Sequence, residues 1–305
     1  MNLPVRKLFF KDHIIRTFYI TRLTDSQVEE KVLLKQKTGI IDITLRHSMI
    51  CLDPFCVSVW VKEDEMQFID PQKRDILFVK GNKTNANIRL EMIESVPTEH
   101  GVLLLYQVKN AKNYQLSRLH RLILFRYFLR SKKNTYHHRK VISALYSYPR
   151  RIIIVSYQDD NYYNIFPMDI QGFIREENLY VLGLRTTNVT LEKILEAQKV
   201  VICDTDSVDI ETVYNLGKHS SSAPTPKEKL SFGTTPSELF GFPVPDFAGS
   251  YKEVEIIRSR KMGYHMLMVG RVVNSKELKH EHSSLFHVGF LQFQGSNYES
   301  IEGLF

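Results

Sequence analysis

Pro149-Arg-Arg-Ile-Ile-Ile-Val-Ser-Tyr157 is the stretch on which the fold turns. The proline ends whatever helix precedes it. The β-branched, aromatic-ended run that follows has the composition of a buried strand. Downstream, Leu179-Tyr-Val-Leu-Gly-Leu184 and Val200-Val-Ile-Cys-Asp204 repeat that character, and Glu253–Ile257, Tyr264–Val273 and Phe286–Phe293 complete the set. Thr190 to Gln198 reads as one short helix, with Thr190 as N-cap, Glu192 in the first turn, and Leu191, Ile194 and Leu195 as its apolar face. Residues 218–246 are rich in Ser, Pro, Gly and Thr and are expected as a long loop. Many strands, few helices and no strand–helix alternation argue against a doubly wound sheet. A mainly β (α+β) barrel carrying short helices is the expectation.

Upstream, residues 1–108 are also mostly strand. Phe18–Thr21, Gly39–Leu45, Cys56–Val61 and Val102–Val108 are apolar runs, with Asp53-Pro54 and Asp70-Pro71 as turns. Residues 109–131 change period: Leu116, Leu119, Leu122, Ile123 and Tyr127 recur at helical spacing. A second short helix is expected around Val141–Tyr148. The chain thus divides into a β-rich domain (1–108), a basic helical connector (109–145) and a barrel (146–305). The run from Met49 to Val61 echoes a strand–turn–strand corner, which would make the first domain a degenerate second barrel and the chain a pseudo-dimer.

The 305 residues carry a formal net charge of +7, unevenly placed. From His100 to Gln158 there is no acidic residue and there are twelve Lys or Arg. Such a block is either a solvated face or meets something anionic, such as nucleic acid, a dinucleotide or an acidic partner. Aromatic residues interleave with the arginines there, as stacking on nucleic acid requires, although several fall on the apolar helix face. No apolar run is long enough to span a membrane, and MNLPVRKLFFKDH meets charge too early for a secretory signal. Three cysteines, Cys51, Cys56 and Cys203, fit no zinc spacing and are expected as reduced thiols in a cytoplasmic protein.

Five segments, taken in order, resemble the flavin reductase-like FMN-binding split barrels, a Greek-key β fold. They are Pro149–Tyr157; Asn164-Ile-Phe-Pro-Met-Asp-Ile-Gln-Gly172; Gly183-Leu-Arg-Thr-Thr-Asn-Val-Thr-Leu-Glu-Lys-Ile194; Tyr214-Asn-Leu-Gly-Lys-His219; and Gly263-Tyr-His-Met-Leu-Met-Val-Gly-Arg-Val272. The resemblance covers residues 146–305 and not 1–108. It implies FMN as cofactor, with NADH or NADPH as transient cosubstrate. Asn164, Phe166, Pro167, Met168 and Gln171 are then candidates to line the isoalloxazine slot, although Phe166 and Met168 read equally well as core. Arg185, Thr186, Thr187, Asn188 and Thr190 offer a guanidinium, hydroxyls and an amide just before a helix N-terminus, where a phosphate is favoured; the bland alternative is a polar turn with an N-cap. Tyr214, Leu216, Gly217, Lys218 and His219 stand at the mouth of the long loop, where Gly217 allows close backbone approach.

His265 is the candidate catalytic residue. The resemblance puts it near the flavin, but Tyr264 stands where the family commonly has Asp, so the acidic neighbour that would orient the imidazole is missing. No Gly-x-Gly-x-x-Gly, Walker A, His-Glu-x-x-His or nucleophile-elbow motif is present. Family members are commonly homodimers with flavin near the subunit interface, so a homodimer is expected unless the N-terminal half replaces the partner. The expected activity is NAD(P)H-dependent flavin reduction. A flavin-binding module without turnover and a binder of nucleic acid or an acidic partner are the alternatives.

Overall fold

The computed structural model describes residues 8–10, 15–36, 39–69, 73–129, 135–218, 221–280 and 283–301. Its strands are β1 (Phe18–Leu23), β2 (Glu30–Lys35), β3 (Ile40–Asp42), β4 (His47–Leu52), β5 (Phe55–Lys62), β6 (Lys73–Lys80), β7 (Lys83–Pro97), β8 (Gly101–Asn113), β9 (Arg150–Arg151), β10 (Ile153–Asp159), β11 (Tyr162–Met168), β12 (Gln171–Ile174), β13 (Leu179–Arg185), β14 (Lys199–Cys203), β15 (Thr234–Pro236), β16 (Pro243–Pro245), β17 (Ser250–Met262), β18 (His265–Glu277) and β19 (Ser284–Gly289). Its α-helices are α1 (Glu63–Met66), α2 (Arg118–Ile123), α3 (Tyr136–Leu145), α4 (Leu191–Ala197), α5 (Ile210–Lys218) and α6 (Phe290–Gln294).

Two seven-stranded antiparallel sheets dominate. The first runs β3-β2-β6-β7-β8-β5-β4 and the second β11-β10-β14-β17-β18-β13-β12. In the second, the edge strands β11 and β12 are consecutive in sequence, separated by Asp169 and Ile170 alone. Three residue steps reach about 11 Å at most, whereas six strand spacings in a flat sheet would separate the edges by roughly 29 Å. The sheet must therefore roll until its edges nearly meet, without hydrogen-bonding to each other. The result is a split barrel. The same argument holds in the first sheet, whose edges β3 and β4 are joined by residues 43–46.

The two barrels have one topology. Replacing β2 to β8 by β10, β11, β12, β13, β14, β17 and β18 in turn converts the first strand order into the second. Detail follows suit: Trp60 N–H donates to Arg46 O at 2.8 Å, and Gly183 N–H donates to Ile170 O at 2.8 Å. His47 opposes Val59 as Gln171 opposes Leu182. Strand alternation then sorts the side chains. Val57, Val59, Leu104 and Tyr106 face the first core, and Tyr180, Leu182, Leu184 and Met268 face the second. The opposite faces meet each other: Cys51, Cys56, Trp60, Leu103 and Leu105 pack on Leu179, Val181, Leu267 and Val269. Each of these apolar side chains contributes about 1.5–3 kcal/mol by leaving water. Because equivalent strands face each other, the join has the form of a two-fold dimer interface inside one chain. Gly183 sits where a β-carbon would lie 2.4 Å from Ile50 O, so the halves approach too closely there for any side chain.

Some elements differ from the sequence expectation. β1 crosses over to pair with β19, which also pairs with β9, so the first strand caps the second barrel. α3 begins at Tyr136, earlier than expected, because the Thr135 hydroxyl accepts from His138 N–H and caps it. α2 continues into a π-helical turn, Leu124–Phe128. In the basic connector the arginines are partly internal cross-links: buried Arg139 donates to Phe125 O, and Arg121 donates to Asn113 O. Residues 218–246 include the β15–β16 hairpin.

Candidate functional site

Packing in the second barrel leaves an opening where β9, β12, β13, β14 and β17 converge. Its far wall comes from the first half, at Thr44, Leu45 and His47. The cavity measures about 530 Å³, inside the range of roughly 300–1,000 Å³ that holds cofactor-sized ligands. Phe173 and Tyr180 oppose each other across β12 and β13 and stack at 4.8 Å, with planes 24° apart. Lys252 Nζ stands 5.4 Å over the Phe173 ring.

The wall is rich in cations. Arg150, Arg151, Arg175 and Lys252 face Asp25, Asp204 and Glu277. Asp25 at the rim bridges Arg151 and, at 3.2 Å, Arg175. Asp204 is engaged elsewhere, accepting from Gly249 N–H at 2.7 Å and from the Ser250 hydroxyl at 2.8 Å. Arg150 is buried; its guanidinium donates to Leu145 O at 3.2 Å, and its Nε has no partner among the described residues. Burial pulls the pKa of Arg150, Arg151 and Lys252 down, the mark of cations held at a desolvation cost. An anion in the cavity would offset that cost.

His47 adds an acceptor. Its Nδ1 lies 3.1 Å from the carbonyl oxygens of both Ile43 and Thr44 and so carries the proton. Burial, then the Arg150 charge, lower its pKa to about 3, so the ring is neutral. Its Nε2 is left a buried lone pair without a partner among the described residues.

The residues singled out in the sequence fall into separate places. Gln171 lines the cavity, donating to Arg151 O at 3.2 Å. Asn164 is buried and fully used: its amide donates to Thr190 Oγ1 at 2.7 Å, and its carbonyl oxygen accepts from Thr225 N–H at 3.0 Å. Thr190 precedes α4 but makes no side-chain cap; its hydroxyl instead meets Asn164 and, at 2.9 Å, Tyr162. Asn188 turns back on Thr190 N–H at 2.8 Å. Phe166, Met168 and Leu216 lie in the second core. Arg185 and Thr187 are exposed at the end of β13, and Thr186 N–H donates to Tyr264 O at 3.0 Å. Tyr214, Leu216, Gly217 and Lys218 are on α5, where a loop mouth was expected, and a β-carbon on Gly217 would sit 3.3 Å from Pro167. Tyr214 OH meets His287 Nε2 at 3.2 Å, and His287 Nδ1 meets Asp169 at 2.8 Å. Lys218 Nζ donates to Asn215. His219 lies outside the described residues.

His265 is wholly buried at the start of β18, opposite Arg185, at the junction between the halves. The Arg185–His265 pair is five residues along β13 from Tyr180, about 16 Å at strand rise. The cavity and His265 are therefore distinct places.

No family model matches this sequence, and no curated protein does. Solved structures do match in shape. An FMN-binding protein from Thermus thermophilus is 20% identical, over 52% of this chain and 90% of its own, with a TM-score of 0.41. The NADH:FAD oxidoreductase SgcE6 of Streptomyces globisporus is 13% identical, over 54% and 92%, at 0.44. A homologue of nitrilotriacetate monooxygenase component B from Mycobacterium thermoresistibile is 14% identical, over 52% and 83%, at 0.42. Each similarity spans about half of this chain.

Several cavity residues escaped the sequence reading. Arg150 and Arg151 were visible as members of the acid-free block, with nothing to separate them from its other cations. Phe173, Tyr180 and Lys252 read as ordinary strand residues. His47 belongs to the other half of the chain, and no local signal ties it to a site 100 residues downstream.

Proposed function

We propose that this protein binds FMN in the cavity between its two halves and acts as a flavin-dependent oxidoreductase. The observation that carries the reading is the cluster of four cavity cations, with Arg150 buried and Arg151 and Lys252 half-buried, beside a stacked aromatic pair in a cavity of cofactor size. A flavin phosphate carries up to about two negative charges near neutral pH. Lys252 and Arg175 receive it, with Arg151 released from Asp25. The Phe173–Tyr180 pair gives the ring system an apolar wall. Arg150 Nε supplies a donor and His47 Nε2 an acceptor for the polar edge. When bound, FMN supplies hydride and electron transfer, and the chain supplies placement and charge. NADH or NADPH serves as the transient donor. The first barrel takes the place of a partner subunit, so the working unit is one chain.

A flavin-binding module without turnover is the second reading. It is favoured by the position of His265, which is buried and remote from the cavity and so cannot serve as an acid there.

Titration of the purified protein with FMN, followed by flavin fluorescence, tests the first claim. Losing a hydrogen bond to a charged group costs about 1.5–3 kcal/mol, so Lys252→Ala and Arg175→Ala should each weaken FMN roughly 10- to 100-fold. Riboflavin, which lacks the phosphate, should bind wild type and variants alike, and Arg185→Ala should leave FMN affinity unchanged. Absence of FMN binding, or loss on Arg185→Ala alone, refutes the placement. NADH and NADPH oxidation with FMN present then separates the enzyme from the module.

A further inference from the structure

At the junction of the halves, the β4–β5 hairpin sets Cys51 directly opposite Cys56. Opposed residues on antiparallel strands have Cα atoms about 4.5 or 5.5 Å apart, and disulfides need about 4.4–6.8 Å. The pair can close by side-chain rotation alone. Both side chains are wholly buried in the one apolar cluster that joins the halves.

The second half supplies the rest of the surroundings. Cys51 Sγ lies 2.6 Å from Met262 O and 3.5 Å from His265 Nδ1. Leu52 N–H also points at that nitrogen, at 3.5 Å. A backbone N–H can only donate, so His265 Nδ1 is the accepting nitrogen, while Nε2 carries the hydrogen and is buried without a partner among the described residues. His265 Nδ1 is thus placed to take the Cys51 proton. A hydrogen bond from Cys56, with smaller help from His265 and the Asp53 backbone, holds the Cys51 thiol well below the ordinary range, while that same bond and burial push Cys56 up. Geometry assigns the roles: His265 Nδ1 stands beside the Cys51 sulfur, so Cys51 attacks and Cys56 resolves.

We propose that Cys51 and Cys56 form a redox-active dithiol that hydrogen peroxide closes to a disulfide, with His265 as the proton acceptor for Cys51. In the first step the Cys51 thiolate attacks one peroxide oxygen; the O–O bond breaks, hydroxide leaves and takes up the proton held on His265, and Cys51 becomes a sulfenic acid. In the second step the Cys56 sulfur attacks that sulfenic sulfur; the S–O bond breaks, an S–S bond forms and water leaves. Two electrons pass from the dithiol to the peroxide, and two waters result. Both thiols are buried, but the hairpin tip that covers them, Asp53 and Pro54, is exposed, as is Tyr264 beside it. Opening of that tip admits a molecule little larger than water. Closing the disulfide draws Cys51 away from His265 and Met262, so the first half loses a hold on the second. This inference is independent of the flavin reading.

The test is peroxide treatment of the folded full chain, then alkylation in denaturant and mass analysis. Cys203 is the internal control, being buried in the second core with its thiol pushed well up by burial and then by Asp204. One alkylated thiol, at Cys203, and a peptide linking Cys51 to Cys56 are expected. Cys56→Ser should stop at a sulfenic acid that dimedone captures on Cys51, and Cys51→Ser should leave Cys56 alkylatable. His265→Gln should slow closure by about tenfold or more, since the thiolate is the nucleophile; the Cys variants carry the test if that protein does not fold. Three alkylatable thiols after treatment, a link through Cys203, or no dimedone adduct in Cys56→Ser overturns the proposal.

Discussion

His47 should make the fold acid-sensitive in a way that one substitution removes. Its pKa is lowered to about 3 in the folded protein, by burial first and by the Arg150 charge second; in an unfolded chain it is about 6.5. The unfolded chain therefore binds a proton as pH falls through about 6.5, and the folded chain does not until about 3. Stability is intact above that window and lost progressively inside it. The full shift corresponds to about 2 kcal/mol lost at pH 5. By accessible surface the ring is only partly buried, because one edge faces the cavity. Cavity water reduces the penalty, so about 1–2 kcal/mol is the working figure. His47→Gln retains an amide donor for the carbonyls of Ile43 and Thr44 but cannot titrate. Urea unfolding at about pH 7 and pH 5 should show wild type losing that amount more than the variant. Equal losses would refute the idea that His47 is held neutral by its surroundings.

Other substitutions probe the framework. Gly183→Ala places a β-carbon 2.4 Å from Ile50 O; overpacking of about 1–3 kcal/mol is expected, read as a lower urea midpoint, and an unchanged midpoint contradicts the close join of the halves. Asn164→Ala leaves Thr225 N–H without its acceptor and removes a donor to Thr190; a loss of about 2–4 kcal/mol in stability is expected. If Asn164→Ala instead leaves the urea midpoint intact and abolishes FMN binding, Asn164 is a cofactor ligand and not a structural cross-link.

The sequence was most legible where side chains speak locally. Ile153–Tyr157 and Leu179–Leu184 announce strands because both faces are buried, and α4 follows from its apolar spacing. α5 was legible in principle: Asp209 accepts from Thr212 N–H at 2.8 Å as a cap, and Ile210, Val213 and Leu216 fall on one face. The Ser- and Pro-rich run behind it blurs that signal. The duplicated topology left only the echo at Met49–Val61, because equivalent positions carry unrelated side chains. Phe173 and Tyr180 in the second barrel correspond by register to Met49 and Val57 in the first. The site was legible as chemistry more than as place. An acid-free run containing Arg150 and Arg151 called for an anion or for solvent, and which cations meet around one cavity is settled by how the sheet rolls. Asn164 and Thr190 show the converse, since polar residues at a suggestive spacing are joined to each other.

The correspondence of Met49 and Val57 with Phe173 and Tyr180 has a consequence for how such a molecule can change. In the first barrel those positions belong to one core with Val141, Ala144 and Leu145 of α3 and with Ile170 from the other half; in the second they border open space. In a pair of identical subunits every substitution lands twice, so a residue that fills one site must fill both. Joining the copies end to end lifts that restriction: one copy can be spent on rigidity while its twin keeps the opening. It also makes the union immune to dilution, because the two halves meet at a concentration set by the tether and not by the cell.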